Sequence, residues 1–253
     1  MKRHSKKDAT LAQYLGRNRI FNREAIRNYY ASRGELLDDP HLRVIVSRLK
    51  KKGVLGTVGR NLYKLQDKKV FSPEIDAATS RIARLLNRDF PFLENLIWSS
   101  QWLNELTTLQ LMRSIIIVEV EAGSAESVFL HLKDLYPGNV FWDPGESEWE
   151  KYRSQKENII VKAMISESPA MKSGPVRVAS LEKILVDIYC DKIWRPIFSS
   201  ELENIYAEAC GNYTINYTKL LSYSARRNKK KEIWDLIKLV GGLDLQTIEM
   251  IEK

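Results

Sequence analysis

A capped helix that ends at a glycine constrains the fold of this chain more than any other segment. Asp38-Asp39-Pro40 supplies a capping carboxylate and then a proline at the first helical position, where its missing N–H is tolerated. Gly53 follows the helix, which we expect to end at about Lys52. One face of this helix is apolar and is predicted to be buried; it comprises Leu42, Ile45, Val46 and Leu49.

Two short strands are predicted directly after this helix. Residues 54–58 and 62–65 have strand composition, and the intervening Gly59-Arg60-Asn61 contains two residue types that tolerate the positive φ of a tight hairpin. Upstream, the pattern indicates a helix over residues 9–16 and a second helix after Asn22, a favourable N-cap residue. Three helices followed by a hairpin predict a winged helix-turn-helix.

Positive charge is concentrated in the same part of the chain. Residues 1–70, which we assign to the winged helix-turn-helix domain, hold 18 Lys and Arg against six Asp and Glu. Residues 71–253 hold 22 against 26, although the whole chain has a net charge of +8. A basic domain joined to a mildly acidic one is typical of a protein that binds nucleic acid at one end. Phosphate attraction would then supply much of the affinity.

The polar face of the third helix carries the side chains that a recognition helix needs in the major groove. Arginine and lysine reach guanine edges or phosphates, whereas small side chains allow close approach to the bases. An arginine at the hairpin tip can reach the DNA backbone or the minor groove. The predicted DNA-binding residues are Arg43, Ser47, Arg48, Lys50, Lys51 and Arg60. The alternative interpretation of the helix alone is a basic face that is only solvated.

Residues 71–253 are predicted to form an α/β effector domain that ends in helices, so the expected fold class is a two-domain α+β or α/β protein. A helix is predicted from Pro73 to about Arg88, and strands then alternate with helices, as in a mixed sheet. The predicted strands are 95–99, 114–121, 139–142, 158–165 and 176–178, with helices around 102–111 and 124–136. A carboxy-terminal helical bundle follows, with one helix after Ser180 and further helices near residues 200–209, 217–227 and 230–240.

Catalytic motifs do not stand out, and we predict a protein that is not an enzyme and that binds no metal or cofactor. A nucleotidyltransferase needs two closely spaced aspartates after a Gly-Ser turn to hold its metal ions, and none follow Gly123-Ser124. The sequence also has no phosphate-binding or dinucleotide-binding glycine motif. One alternative stays open, a metal-dependent nuclease-like body that the winged helix delivers to nucleic acid. Its candidate residues are Asp143, Glu148, Glu150 and Lys162.

Two further features could bind a partner. A second basic site is a candidate for a nucleic-acid backbone or an acidic partner, and an exposed loop between helices explains the same residues equally well; they are Arg226, Arg227, Lys229, Lys230 and Lys231. Trp149 lies among Glu146, Glu148 and Glu150. A third interpretation is therefore an adaptor that binds another protein through this tryptophan and its acidic neighbours.

Three amino-terminal segments carry a family resemblance. They are Arg19-Ile20-Phe21-Asn22-Arg23-Glu24, Val46-Ser47-Arg48-Leu49-Lys50-Lys51-Lys52-Gly53-Val54-Leu55 and Val58-Gly59-Arg60-Asn61-Leu62-Tyr63-Lys64-Leu65. Together they resemble the winged-helix domain of AbiEi-type antitoxins, which belong to type IV toxin–antitoxin systems. Residues 181–191 and 213–230 are similar to the carboxy-terminal part of bacterial proteins grouped with that family. Asn61 departs from the glycine usual in the wing, but asparagine adopts the left-handed conformation readily.

The resemblance implies a bacterial cytoplasmic regulator that represses its own operon by binding double-stranded promoter DNA. It also implies that the carboxy-terminal part counteracts a co-encoded nucleotidyltransferase toxin without forming a tight complex with it. A cytoplasmic location fits the composition, since the longest apolar run, Ile115–Val118, is far below the about 20 residues of a membrane-spanning helix. The amino terminus lacks the apolar stretch of a secretory signal, and Cys190 and Cys210 are the two cysteines.

Overall fold

A three-stranded antiparallel sheet and three helices form the amino-terminal part of the structure. The computed structural model describes residues 6–16, 20–109, 114–144 and 157–252. The amino-terminal elements, in chain order, are α1 (Lys6–Leu15), β1 (Phe21–Asn22), α2 (Arg23–Ala31), α3 (Asp39–Lys51), β2 (Leu55–Gly59) and β3 (Leu62–Leu65). The strand order is β1-β3-β2, and β3 is antiparallel to both of its neighbours.

The N-cap predicted for α2 is confirmed, whereas α3 begins one residue earlier than predicted, with Asp38 as its cap and Pro40 as its second residue. The side chain of Asn22 accepts a hydrogen bond from the backbone N–H of Ala25 at 3.0 Å. The carboxylate of Asp38 accepts one from the N–H of His41 at 2.9 Å. Each bond satisfies an N–H group that the first helical turn would otherwise leave without an acceptor. These two residues therefore determine where both helices begin.

The hairpin of β2 and β3 also follows the sequence pattern closely. Asn61 at its tip has a φ of +58°, the left-handed conformation expected there. The pairing of the strands shifts by one residue between Thr57 and Gly59, so a bulge lies just before the tip. Strand β1 was not predicted, because its two residues are too few to show an alternating pattern.

Apolar side chains from α1, α2, α3 and the hairpin share one cluster of buried residues. The predicted stripe of α3 lies inside it, with Leu42 and Leu49 fully buried. Ile45, predicted on the same stripe, packs against the cluster but is only half-buried. Burial of this stripe sets the rotation of α3 about its own axis, and therefore decides which of its residues face solvent.

A six-stranded mixed sheet forms the centre of the remaining chain. Its elements are α4 (Ala77–Asp89), β4 (Asn95–Ser99), β5 (Ser114–Val120), α5 (Ala125–Leu135), β6 (Val140–Trp142), β7 (Glu157–Ala163), β8 (Ala170–Ser173) and β9 (Val176–Ala179). The strand order is β6-β7-β5-β4-β9-β8. The pairs β6–β7, β7–β5 and β4–β9 are parallel, whereas β5–β4 and β9–β8 are antiparallel. The predicted mixed sheet is confirmed, with β8 as a strand that was not predicted.

Helices complete the carboxy-terminal part, as predicted. They are α6 (Leu181–Cys190), α7 (Arg195–Phe198), α8 (Leu202–Asn212), α9 (Tyr217–Arg226), α10 (Lys230–Val240) and α11 (Leu245–Glu252). The predictions ended at Val240 and missed α11. Among the described helices, none combines the length and the apolar composition that crossing a lipid bilayer requires.

The helices cover the two faces of the six-stranded sheet. Lys183 of α6 contacts Glu119 of β5, so α6 lies on the face that Glu119 occupies. Lys162 of β7 pairs with Glu119 and therefore points to the same face. The next residue back, Val161, points to the other face, and so does Trp142 of β6, which pairs with Val161. Phe129 of α5 packs against Trp142 with 5.6 Å between the ring centroids. The sheet is thus the middle of three layers.

The prediction for the start of α4 is wrong by four residues. The helix begins at Ala77 rather than at Pro73. Asp76 is its N-cap, and the carboxylate of this residue accepts a hydrogen bond from the N–H of Thr79 at 2.7 Å. A proline is compatible with a first helical turn, but the capping carboxylate decides where this helix begins.

The helix predicted around residues 102–111 is also wrong for its described part. Ser100–Leu103 forms a short 3₁₀-helix, and no α-helix follows in residues 104–109. Glu201, just before α8, accepts hydrogen bonds from the hydroxyl of Thr107 at 3.1 Å and from the N–H and hydroxyl of Thr108. The hydrogen bonds to this remote carboxylate hold Thr107 and Thr108 outside the α-helix that the local sequence pattern predicts.

Candidate functional site

The predicted basic face of α3 is exposed along its whole length. Because Leu42, Val46 and Leu49 are buried, the opposite side of the helix must face solvent. That side carries four cations and one hydroxyl, and all of them are exposed: Arg43, Ser47, Arg48, Lys50 and Lys51. The structure thus brings together five of the six predicted DNA-binding residues on one helix face.

A depression of about 300 Å³ lies beside this face and adds a residue that was not predicted. Arg23, the first residue of α2, lines it together with Arg43, Ser47, Lys50 and Lys51, and Val46 also contributes. The Nε atom of Arg23 is buried and has no hydrogen-bond partner among the described residues. A positive charge at the start of a helix is unfavourable, because it opposes the helix dipole. This unusual position of Arg23 is the sequence signal that could have identified it as a candidate site residue.

The neighbouring carboxylates do not neutralise the basic face of α3. Arg27 of α2 forms an ion pair with Glu24 at 3.0 Å and a second one with Asp39. Within the described ranges, no carboxylate lies at ion-pair distance from Arg43, Arg48, Lys50 or Lys51. Four exposed cations are therefore left to attract an anion.

The hairpin tip lies against the carboxy-terminal helices. The backbone N–H of Arg60 donates a hydrogen bond to Oγ1 of Thr218, in the first turn of α9, at 2.9 Å. A Cβ atom on Gly59 would lie 2.9 Å from that same oxygen, so only glycine allows this approach. The side chain of Arg60 is exposed. One side of the hairpin is thus occupied by α9, and the arginine at its tip remains available.

The segment after the hairpin fixes this arrangement further. The N–H of Lys69 donates to the carbonyl of Asn212 and the N–H of Thr214 donates to the carbonyl of Lys69, both at 3.0 Å. The side-chain amide of Gln66 donates to Oγ1 of Thr214 at 2.9 Å. Val58 of β2 is buried in the same apolar cluster as the six-stranded sheet. The hairpin and α8–α9 therefore form a continuous packed structure.

The second predicted basic site is not a single cluster of solvated cations. Arg226 donates a hydrogen bond to Ser166 at 2.9 Å and pairs with Glu167. Lys229 pairs with Glu232 at 2.8 Å. Arg227 turns inward, where it pairs with two aspartates. Lys230 and Lys231 are exposed, and no carboxylate of the described chain lies within ion-pair distance of them.

Arg227 covers a buried ionic cluster that the sequence predictions missed. Lys183 is fully buried and binds Glu119 at 2.6 Å and also Asp187. Lys162 binds Asp191 at 2.5 Å and lies 3.7 Å from Glu119. Arg227 pairs with Asp191 and lies 3.6 Å from Asp187, which also accepts a hydrogen bond from the hydroxyl of Tyr223 at 2.9 Å. Three carboxylates and three cations thus balance in charge.

Burial and pairing shift the pKa values in this cluster in opposite directions. Burial alone would raise the pKa of Glu119, but the ammonium groups of Lys183 and Lys162 lower it below its ordinary value. For Asp187 burial prevails and raises the pKa. Burial, assisted by the charges of Asp187 and Asp191, raises the pKa of the nearby Cys190 thiol to about 11. The cluster holds β5, β7, α6 and α9 together by compensated charges.

Of the four candidate nuclease residues, the structure describes Lys162 and Asp143. Lys162 faces Glu119 and Asp191 inside the ionic cluster. Asp143 follows β6, and its backbone N–H donates to the carbonyl of Val161 at 3.0 Å. Glu148 and Glu150 lie outside the described residues, as do Glu146 and Trp149 of the proposed adaptor surface. Among the described side chains, no group of three or more His, Cys, Asp or Glu is placed to hold a metal ion.

Two other concave regions have Tyr213, which lies between α8 and α9, in their lining. One, of about 430 Å³, is lined by residues that include Lys64, Lys68, Tyr217 and Thr247. Burial lowers the pKa of Lys68, whose ammonium group donates to the carbonyl of Cys210. The other, of about 480 Å³, lies between Phe71, Trp102, Tyr213 and several carboxylates. Polar groups in both regions are already hydrogen-bonded within the protein, Lys68 to the carbonyl of Cys210 in the first and the hydroxyl of Tyr213 to Glu105 in the second.

Comparison with known proteins identifies the family of this chain. Residues 41–241 match a family described as a family of unknown function, DUF6577. The match starts in α3 and ends just after α10, so it includes α3, the hairpin and the six-stranded sheet together. A search of curated proteins found no significant match. The chain belongs to the DUF6577 family, a family of unknown function.

Proposed function

We propose that this protein is a DNA-binding transcriptional regulator whose amino-terminal part, residues 1–70, is a winged helix-turn-helix domain. The order α1-β1-α2-α3-β2-β3, with the three strands in one antiparallel sheet, is the arrangement that such domains have. In this proposal α3 enters the major groove and Arg60 at the hairpin tip contacts the backbone or the minor groove.

One observation carries the proposal: the exposed face of α3 is cationic and its opposite face is buried. A duplex that lies against α3 would meet Arg43, Arg48, Lys50 and Lys51, none of which is engaged by a carboxylate in the described structure. Ser47 lies between them and is small enough for base edges to come close. Arg23 extends the basic surface towards the flanking phosphates.

A narrower proposal comes from the resemblance to AbiEi-type antitoxins. In this view the protein is a bacterial cytoplasmic antitoxin that represses its own operon. Residues 71–253 would counteract a co-encoded nucleotidyltransferase toxin without forming a tight complex with it. The similarity of residues 181–191 and 213–230 to proteins grouped with that family supports this role.

Binding of the full-length chain to a labelled duplex from its own promoter tests the proposed function. We expect the double variant Arg43→Gln/Lys51→Gln to bind at least about tenfold more weakly, because it loses two phosphate contacts. Each lost contact should also lower the slope of log Kd against log [salt] by about one. The matched control Arg84→Gln/Lys172→Gln removes two exposed cations of α4 and β8 and should bind like the wild type. Equal binding by both variants, or no binding by the wild type at about 0.1 M salt, would contradict the proposal.

A further inference from the structure

We propose that the exposed face of α9 and the start of α10 continue the DNA-binding surface, so that one duplex contacts both the hairpin and the carboxy-terminal helices. This inference rests on the proposed DNA binding by α3. It adds a second set of phosphate contacts, on a part of the chain whose total charge is slightly negative. The cations involved are Lys219, Lys230 and Lys231; Ser222 and Arg226, which already pairs with Glu167, lie between them in the chain.

The hydrogen bond between Arg60 and Thr218 places the two surfaces next to each other. Arg60 is the residue at the hairpin tip, and its N–H lies 2.9 Å from the hydroxyl of Thr218. Lys219 is the next residue of α9 and is exposed. A phosphate group bound near Arg60 would therefore lie close to the first turn of α9.

The exposed residues of α9 follow one side of the helix from this point. Lys219, Ser222 and Arg226 are exposed and are spaced three and four positions apart, as residues on one helical face are. Tyr217, Leu220 and Ser224, on the opposite side, are buried. A helix of 10 residues is about 15 Å long, which corresponds to roughly four base pairs of duplex.

Lys230 and Lys231 lie four and five positions after Arg226, the last residue of α9. They start α10, and, like Lys219, they have no carboxylate within ion-pair distance among the residues that the structure describes. Arg227, between the two helices, anchors the end of α9 to the ionic cluster through Asp187 and Asp191. The basic residues are thus presented from an anchored support, so binding orders little additional backbone.

Charge and continuity favour duplex DNA over a separate acidic protein as the occupant. The exposed cations of α9 and α10 begin beside Arg60, which is itself a predicted DNA contact. An independent docking site for a protein would instead need apolar anchor residues, whereas this face of α9 has Lys219, Ser222, Ala225 and Arg226 exposed. Sequence-tolerant phosphate contacts suit such a surface.

The salt dependence of DNA binding tests this inference on the full-length protein. The probe is a fluorescently labelled mixed-sequence duplex of about 20 base pairs, two helical turns, titrated at several KCl concentrations. The variant Lys219→Gln/Lys230→Gln/Lys231→Gln should lower the slope of log Kd against log [KCl] by about 2 to 3, and weaken binding by at least about tenfold at about 0.1 M salt. The matched control Arg84→Gln/Lys133→Gln/Lys172→Gln loses the same charge elsewhere and should keep the wild-type slope.

A shorter duplex separates this inference from the proposed function. On about 10 base pairs, one helical turn, the α3 contacts fill the duplex, so the triple variant of α9 and α10 should lose little affinity relative to the wild type. If the triple variant and its control have the same slope of log Kd against log [KCl] on the long duplex, only this inference is overturned. The basic face of α9 and α10 would then be a candidate site for an acidic protein partner. If the salt dependence is unchanged both in this variant and in Arg43→Gln/Lys51→Gln, the proposed function is overturned as well.

Discussion

Lys183 is a fully buried cation in the interior of the larger part. Its ammonium group lies between Glu119 and Asp187, and all three side chains are fully buried. Removing one member of a buried ionic cluster leaves uncompensated charge, so Lys183→Met should lower the free energy of unfolding by about 3–5 kcal/mol. Urea denaturation followed by circular dichroism measures this. The exposed control Lys172→Met should change the value by less than about 0.5 kcal/mol, and an equally small effect of Lys183→Met would contradict the compensated cluster.

The Cys190 thiol provides a pH-dependent test at the same scale. Burial raises its pKa to about 11, so the folded protein keeps the proton over the range in which a free thiol ionises. At pH 8 its alkylation by iodoacetamide should be at least about 100-fold slower than that of an unfolded chain, whose thiols have a pKa near 8.5. The rate should increase about tenfold for each pH unit up to pH 10. Peptide mass spectrometry measures it, and a plateau below about pH 9.5 would disagree with this environment.

Single residues were predictable where a local bond or pattern decides their position. Asn22 caps α2 as expected, and the cap of α3 is one residue from its expected place, because a cap depends only on the next three residues. The ionic cluster was missed, although Glu119 in an apolar strand and Lys183 in an apolar helix were visible signals. Their pairing spans 64 positions of the chain, and no local pattern gives such a partner.

At the scale of elements, the contact between the hairpin and the loop before α9 depends on Gly56. A Cβ atom there would lie 2.6 Å from Oε1 of Gln66 and 2.8 Å from Cγ2 of Thr214. Gly56→Ala should therefore destabilise the protein by about 1–3 kcal/mol, and adding Thr214→Ser should restore part of the loss. Thermal unfolding measures both. Gly123→Ala, which meets no atom within 4 Å, is the matched control, and an equal effect of the two alanine variants would contradict the close packing.

Elements with a complete local pattern were predicted better than elements shaped by remote contacts. The strand Asn95–Ser99 and the helix Lys230–Val240 have the predicted bounds, because both show regular apolar spacing. The segment after Trp102 was expected to be helical and is not, since Glu201, about a hundred residues away, binds its hydroxyl and amide groups. The helix propensity of a segment has little influence on its conformation where a remote carboxylate accepts the hydrogen bonds of its polar groups.

At the scale of the whole molecule, we expect the amino-terminal and carboxy-terminal parts to unfold together. All six tryptophans follow residue 70, so tryptophan fluorescence reports only the larger part, whereas circular dichroism at 222 nm also includes α1–α3. Val58 belongs to the apolar cluster of the six-stranded sheet, and Arg60 is bonded to Thr218. The two signals should therefore have the same urea midpoint. A separate early transition seen only by circular dichroism would contradict this coupling.

The charge distribution of the sequence indicated which end is proposed to bind DNA, but not how the two parts meet. Residues 1–70 are strongly basic, which predicted a surface for an anion. Thr214 and Thr218 are ordinary polar residues in the sequence, and only the fold brings them to the hairpin. For the same reason Lys219 was not predicted as a candidate contact.

Photo-crosslinking to DNA tests the central proposal most directly. A photoreactive amino acid replaces Ser47 on the basic face of α3 in one variant and the exposed Leu130 of α5 in another. With a labelled promoter duplex, the proposal predicts a crosslink from position 47 that unlabelled duplex competes away, and only background from position 130. Equal crosslinking from the two positions, or none from position 47 under conditions in which the protein binds DNA, would contradict DNA recognition by α3.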